Sequence, residues 1–355
     1  MSPAPKIILT GGGTAGHVMP HLAILGELRQ AGFEVHYVGS GGIEKVLAEK
    51  AGIPFHEILT GKLRRYFSVQ NFTDIFRFLA GFFQSLVIIA QLRPKVVFSK
   101  GGFVAVPVTL AAWILGVPVV THESDFSPGL ANKIIAPFSR KILYTFPETG
   151  GYLPPVKAVH VGTPVRPTLF EGDSRRGRLF CGFSDNRDII LVMGGSQGAQ
   201  RINDALSAIL PELTKLMNVV HLTGKGKSTG YAGPGYRAFE FVGDEMKDVF
   251  AAARLVVSRA GANSIFELLA LKKPMLLIPL EVGSRGDQVL NARSFTANGW
   301  ANTLSESTMT GELLFGSIMK LNENAGEISK NQSSAAVEAV PQRIVKILAE
   351  VAGLV

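Results

Sequence analysis

The apolar positions of the chain fall into short runs, most of them followed by a polar or glycine-rich turn and a segment of helical period. Lys6–Thr10, Val35–Val38, Val96–Ser99 and Val117–Thr121 are the runs of the first half. Prolines then cluster at Pro147, Pro154, Pro155, Pro164 and Pro167, and the pattern pauses. It restarts with Ile189–Met193, Val219–Leu222, Phe239–Val242, Leu255–Val257 and Met275–Pro279. Apolar runs this short, alternating with helical segments, predict parallel strands joined by crossover helices. The proline cluster predicts a linker. The chain therefore reads as α/β, with two doubly wound, Rossmann-like domains facing a central cleft. Their expected bounds are 1–163 and 164–335, with 336–355 a C-terminal helix packing back on the first domain.

The turns carry the candidate chemistry. Gly11, Gly13 and Gly16 have the G-x-G-x-x-G spacing, which brings backbone N–H groups and a helix N-terminus to a phosphate. The next strand ends in Gly39, Ser40, Gly41 and Gly42, where a nicotinamide dinucleotide fold needs an acid for the ribose, so an oxidoreductase is disfavoured. His17 falls in the first turn of the following helix, where it either caps the turn or, as a neutral imidazole, accepts a proton from substrate. Lys100, Gly101 and Gly102 form a second glycine turn. His122, Glu123, Ser124 and Asp125 follow a strand at the edge where open α/β sheets bind ligands. In the second half Gly194–Ala199, GGSQGA, repeats the strand, turn and helix device.

The richest stretch is Ser258–Asn291. Arg259, Ala260 and Gly261 make a turn, and Ile265, Leu268, Leu269 and Leu271 space a helix expected to start at Asn263 or Ser264, both capping residues. Its free N–H groups make an anion site. Glu267 is the one acid in that helix, placed for ribose hydroxyls, and Asp287, Gln288 and Asn291 can read sugar hydroxyls. One segment can thus hold the phosphate, ribose and sugar of a nucleotide-sugar.

Lys62–Arg93 has a different character. Lys62, Arg64 and Arg65 lead into Phe67, Phe72, Ile75, Phe76, Leu79, Phe82 and Phe83, more apolar surface at helical spacing than one buried stripe needs. A basic collar beside exposed aromatics predicts contact with an anionic membrane. The uncharged stretch Gly101–His122 is divided by Pro107 and Pro118 and reads as buried core. Composition agrees with a large core and many turns: 46% hydrophobic and 18% charged residues, with 39 glycines in 355 residues. A net charge of +8 suits an anionic partner, whether nucleic acid, a phosphorylated small molecule or acidic lipid. The single Cys181 excludes an intrachain disulfide and a cysteine metal cage, which suggests a reducing compartment. The amino end lacks the features of a signal peptide.

Taken in order, GGGTAGH with Pro20 following, Gly101-Gly102-Phe103, His122-Glu123-Ser124, GTPVR at Gly162–Arg166, GGSQGA and Ser258–Asn291 resemble the MurG family over essentially the whole chain. The resemblance implies the GT-B glycosyltransferase fold and an inverting transfer of N-acetylglucosamine. The donor is UDP-N-acetylglucosamine. The acceptor is the C4 hydroxyl of MurNAc in undecaprenyl-pyrophosphoryl-MurNAc-pentapeptide, so lipid I becomes lipid II in peptidoglycan synthesis. It further implies a peripheral protein on the cytoplasmic face of the bacterial membrane, with no nucleic acid as partner and room for cell-wall synthesis proteins. Carried over by position, Thr14, Ala15 and Gly16 are donor contacts of the first loop and His17 its characteristic histidine. Arg166 and Ser196 meet the diphosphate, Val242 the uracil, and Ala262, Asn263, Ser264, Ile265, Phe266 and Glu267 the nucleotide. Gln288 and Asn291 lie on the sugar. Two positions depart from the family pattern: Ser124 and Asp125 stand where HEQN is common, and Asp287 where a second glutamine is common. No D-x-D pair is present, so no metal or other cofactor is indicated, and Arg166, Ser196 and helix ends are left to stabilise the leaving UDP. The base for the attacking hydroxyl is His17, with Asp125 and Glu123 as alternatives. The rival readings are a GT-B transferase with another lipid or small-molecule acceptor and a non-catalytic UDP-sugar sensor.

Overall fold

A computed structural model describes residues 3–61, 70–195, 199–282, 286–335 and 339–355, with only the backbone of residues 15 and 70–73. The chain forms two compact units, one running to Arg166 and resuming at Ala339, the other spanning Pro167–Glu338.

The first unit holds a seven-stranded parallel sheet built from β1 (Lys6–Thr10), β2 (Glu34–Gly39), β3 (Phe55–Glu57), β4 (Val96–Ser99), β5 (Val119–Glu123), β6 (Lys141–Tyr144) and β7 (Ala158–His160). Its order is β3-β2-β1-β4-β5-β6-β7, so β1 lies between β2 and β4 and the order reverses there. In open α/β sheets ligands bind at such a reversal, beyond the carboxyl ends of the strands. β1, β4 and β5 are buried almost throughout because helices cover both faces, which is why they read as unbroken apolar runs.

On one face, Ile7, Leu9, Val96 and Phe98 pack with Val340, Ile344, Val345 and Leu348 of the C-terminal helix, Val340–Val351. Gln342 Nε2 donates to Glu27 Oε1 at 2.6 Å and an Arg343 Nη2 to His160 O at 3.0 Å, which holds the helix against this unit. On the other face Ile8, Val97 and Val119 pack with the helix Ala105–Ile114 and with Phe82, Leu86 and Ile89 of the long helix Gln70–Leu92. Phe82, expected among the exposed aromatics, therefore turns toward the core. The outward stripe is Ile75, Phe76, Leu79, Phe83 and Val87. Lys62, Arg64, Arg65 and Phe67, and the side chain of Phe72, lie outside the described residues.

The second unit repeats the plan with six parallel strands, β8 (Ile189–Met193), β9 (Asn218–Leu222), β10 (Tyr236–Phe239), β11 (Ala253–Ser258), β12 (Met275–Leu277) and β13 (Asn302–Thr303), in the order β10-β9-β8-β11-β12-β13. β6, β7 and β13 have no counterpart among the expected runs, and β10 is displaced from its own. β10 ends at Phe239, where Phe239–Val242 was expected, because the strand is anchored by buried Tyr236, whose hydroxyl meets His221 Nδ1 and Thr229 Oγ1 at 2.9 Å each. A tyrosine with a satisfied hydroxyl serves as core without reading as apolar.

Truncating a buried leucine removes packing that the neighbours only partly refill, at about 2–5 kcal/mol. Leu348→Ala is therefore expected to destabilise the first unit by that amount. An earlier first transition in urea, with the second unit's transition unmoved, checks it.

Candidate active site

In the first unit the candidate residues gather where β1, β4 and β5 end. Gly11–Thr14 leaves β1 between the turn Ser40–Gly42 after β2 and the turn Lys100–Gly102 after β4. The turn rests on a hydrogen bond from the buried Tyr37 hydroxyl to Gly11 O at 2.6 Å. Behind it lies Glu44, fully buried in the first turn of the helix Ile43–Lys50 and bonded through Oε1 to the Ser40 hydroxyl.

The two glycine turns are in van der Waals contact. Gly102 has φ +79°, and a Cβ there would stand 2.7 Å from Gly12 O and 3.4 Å from His17 Cε1. Only glycine permits both the backbone conformation and the approach. The His17 ring thus lies over the second turn, in the first turn of the helix Ala15–Ala23, with its Nδ1 3.1 Å from Thr14 Oγ1. Thr14 is the N-cap residue, yet its hydroxyl meets the ring and no backbone N–H. Gly16 is exposed beside them.

β5 runs through His122 and Glu123, two residues past the end expected at Thr121, because both pair with β6 in the buried sheet; these two and the residues that follow serve different ends. Glu123 is buried, and its carboxylate accepts from Asp125 N at 2.9 Å, Gly129 N at 2.8 Å and Asn132 Nδ2 at 2.8 Å. It shapes the loop, and its oxygens are already engaged. Asp125 is half-buried and held through its backbone by Glu123 and Thr149. His122 is buried, with Nε2 3.0 Å from Gly162 O and Nδ1 2.6 Å from Lys100 Nζ. Burial, reinforced by the Lys100 charge, holds His122 well below the ordinary histidine range, so it is neutral. Arg166 closes the first unit.

In the second unit the Gly194–Gly195 turn after β8 precedes Ser196, which lies outside the described residues. The helix after β11 begins at Ala262, with Gly261 as its extended N-cap. Asn263 and Ser264 therefore sit in the first turn and are not caps as expected. Packing sets the frame: Ala262, Ile265, Phe266, Leu268 and Leu269 face the core, and Phe266 meets Phe295 edge-on at 5.1 Å. The side chains of Ile265 and Phe266 are buried and the Ile265 N–H already donates to Gly261 O at 3.1 Å, whereas Asn263, Ser264 and Glu267 are half-buried along the other side.

Arg259 ties this turn down. Its Nη1 donates to Ile278 O at 3.1 Å, and its Nη2 forms a buried ion pair with Glu306. Asn291, fully buried, donates to Ala260 O at 3.1 Å and so supports the turn, where a sugar contact was expected. Gln288 is half-buried, and its Oε1 accepts from Leu280 N at 3.0 Å. Val242 is buried, and the neighbouring Phe241 is 80% exposed just past the carboxyl end of β10. Sequence reasoning passed over Phe241, Tyr37, Glu44, Asn132 and Glu306. The first two have apolar neighbours and read as core. Glu306 acts on Arg259, 47 residues away, and Asn132 on Glu123 across a turn, while Glu44 in the first turn of a helix reads as an ordinary solvated acid.

The first half matches the glycosyltransferase family 28 N-terminal domain over residues 7–144 and the second half the family 28 C-terminal domain over residues 189–347. A Geobacillus kaustophilus protein named UDP-N-acetylglucosamine--N-acetylmuramyl-(pentapeptide) pyrophosphoryl-undecaprenol N-acetylglucosamine transferase is 49% identical over 354 residues, covering 98% of this chain and 99% of the relative. Proteins of the same name from Clostridium tetani and Lachnospira eligens are 46% and 53% identical, over 97% and 89% of this chain and 97% and 90% of their own. Among solved structures, Acinetobacter baumannii MurG superposes with a TM-score of 0.76 at 26% identity, covering 98% of this chain and 99% of that one. The glycotransferase of kitacinnamycin, at 17% identity and a TM-score of 0.77, shares the fold.

A methyl group at Gly102 is both strained and crowded, and overpacking of this kind typically costs about 1–3 kcal/mol. Gly102→Ala is expected to lower the first unit's stability by that amount and to displace His17. Urea denaturation and the imidazole resonances of His17 check it; an unmoved His17 signal would mean that the two turns do not brace each other.

Proposed function

The chain belongs to the MurG family of N-acetylglucosaminyltransferases, and we propose a division of labour among its residues for the family reaction. It transfers N-acetylglucosamine from UDP-N-acetylglucosamine to undecaprenyl-pyrophosphoryl-N-acetylmuramyl-pentapeptide, lipid I, the step that yields lipid II. The observation that carries this is agreement with relatives of that name at 46–53% identity over nearly the whole chain.

In this reading the second unit holds the donor. The N-terminus of the helix at Ala262 takes negative charge from the diphosphate, at up to about 2 kcal/mol when partly buried. Ser196 shares that charge, Asn263 and Ser264 line it, Glu267 accepts from the ribose, and Gln288 donates to the sugar. As the UDP oxygen leaves, these fixed dipoles meet the developing charge without reorganising.

The first unit presents the acceptor. Its paired glycine turns hold the acceptor diphosphate, and His17, held by Thr14 over Gly102, takes the proton from the attacking C4 hydroxyl. Asp125 is the alternative base. Glu123 acts through the loop, because three N–H groups already occupy its carboxylate. A positioned base contributes about 10²- to 10⁴-fold. His17→Ala is expected to lower kcat by that factor while UDP binding is unchanged, and wild-type transfer to a short-chain lipid I analogue is expected to persist in EDTA. Tight UDP-sugar binding with no wild-type turnover would replace the enzyme by a sensor.

The acceptor is a membrane lipid, and we place the first unit against the cytoplasmic face of the bilayer through the outward stripe Ile75, Phe76, Leu79, Phe83 and Val87. Trp113, Ile114 and Leu115, at the end of the helix packed beside it, are also exposed. Arg77, Arg93 and Lys95 are exposed cations of the same helix and the turn that follows it, each adding about 1 kcal/mol of attraction to an anionic surface. Asp74–Leu92 is long and apolar enough to cross a membrane. Its inner residues Leu86 and Ile89, however, pack on the sheet-covering helix, so it lies along the surface. Serine at Ile75, Phe76, Leu79 and Phe83 together is expected to abolish co-sedimentation with phosphatidylglycerol vesicles while leaving the fold intact; undiminished sedimentation would remove the membrane contact.

A further inference from the structure

Beneath the paired glycine turns lies a cation that the reaction so described does not use. Lys100 ends β4 with its side chain buried, and its Nζ stands 2.6 Å from His122 Nδ1 and 2.5 Å from Ser124 Oγ. The hydrogen positions follow from the neighbours. His122 Nε2 meets Gly162 O, a pure acceptor, and so must carry the ring proton. Nδ1 is then a bare lone pair, and Lys100 must donate to it. The contact with Ser124 is different, because a hydroxyl either donates or accepts. An ammonium at Lys100 donates to both partners and leaves the Ser124 hydrogen free to point elsewhere. A neutral amine donates to His122 and accepts the Ser124 hydrogen, which withdraws it.

We propose that Lys100 and Ser124 form a proton-controlled pair that positions the turn at Ser124 and Asp125, just after β5, for the anionic lipid acceptor, with the ammonium form the one competent to bind it. The inference rests on the assignment of the acceptor to the first unit. Lys100 is a positioning residue: it acts through Ser124, and as an ammonium it places positive charge under the turns that meet the acceptor diphosphate. The groups that face it define the balance. From the end of β5 and its loop come His122, Glu123 and Asp125; from the Ala15–Ala23 helix come His17 and His21; Tyr37 and Glu44 lie on the far side of the first glycine turn. His21 and His122 are held neutral by burial, with the Lys100 charge as the next cause, so neither competes for the role of cation. Burial brings Lys100 from the ordinary lysine range down to about 7, opposed by the carboxylates of Glu123 and Asp125. A diphosphate bound above it stabilises the charged form further, so acceptor binding and proton uptake are linked. The serine matters because a hydroxyl reverses its donor with the state of its partner.

The sign is definite. Below pH 7 the ammonium form prevails and acceptor affinity is full; as pH rises through 7 the proton leaves Lys100 and affinity falls. In steady-state assays from pH 6 to 9, KM for a short-chain lipid I analogue is expected to rise roughly tenfold to hundredfold, the effect of losing one charge-assisted hydrogen bond, while KM for UDP-N-acetylglucosamine stays level. Lys100→Met is expected to show the high KM at every pH, and Lys100→Arg, charged throughout, to keep the low KM to pH 9. Ser124→Ala keeps the buried cation but loses the hydroxyl and tests the pair without introducing a larger side chain: its KM is expected to be raised at pH 6 and to change little above pH 7.5. A wild-type KM for the acceptor that is flat across this range, or a limb that persists in both Lys100→Met and Ser124→Ala, would overturn the proposal. Failure of wild-type transfer altogether would instead overturn the assignment of function on which it rests, so the two failures are distinct.

Discussion

The close approach of two backbone turns, Gly11–Thr14 after β1 and Lys100–Gly102 after β4, is the constraint on which the first unit's chemistry depends. β1 and β4 are neighbours because the strand order reverses at this point, and the reversal is what opens room beyond the strand ends. A side chain at Gly102 would fill that room. The absence of side chains there has a second effect: it lets His17 lie over one turn while belonging to the helix that follows the other. The histidine is therefore placed by backbone packing and by one threonine hydroxyl, both of which precede any contact with substrate.

Buried polar groups then fix what the glycines leave open. Tyr37 holds Gly11, Glu123 holds the loop after β5, and Asn132 joins that loop to the helix behind it. In the second unit Arg259 and Glu306 do the same for the turn before Ala262, and Asn291 adds a bond to Ala260. A buried ion pair adds little net stability over an apolar pair of equal size, but removing one member leaves an uncompensated charge at a cost of about 3–5 kcal/mol. Pairs of this kind therefore select one conformation of a turn more than they strengthen the fold.

This separation explains what was legible in the sequence. The strands Lys6–Thr10 and Val96–Ser99 are visible as apolar runs because parallel strands are buried on both faces, and the glycine turns are visible because their spacing is local. His17, Glu267 and Gln288 stand out for the same reason: each is a polar residue at a fixed distance from a strand end. The register of the helix at Ala262 was missed because Asn263 and Ser264 are better caps than Gly261 by local chemistry, whereas the buried faces of Ala262 and Ile265 set the frame. β10 was missed because its anchor is a tyrosine satisfied by His221. Glu123 and Asn291 look like ligands in a sequence, since nothing local shows that their hydrogen-bonding groups already meet Asn132 and Ala260.

The supports therefore constrain how such a site can vary. A residue that touches a ligand directly can change with the ligand, but Glu123 answers to Asp125, Gly129 and Asn132 at once, and a change there requires matching changes at distant positions. Ser124 is under no such restriction. Its side chain meets Lys100 alone among the hydrogen bonds of the described loop, and Lys100 in turn is buffered by His122, so exchanging the hydroxyl leaves the bonds of Glu123 in place. Exchange of the hydroxyl at this position is thus cheap for the fold and consequential for the surroundings of the buried Lys100, which can change without rebuilding the loop.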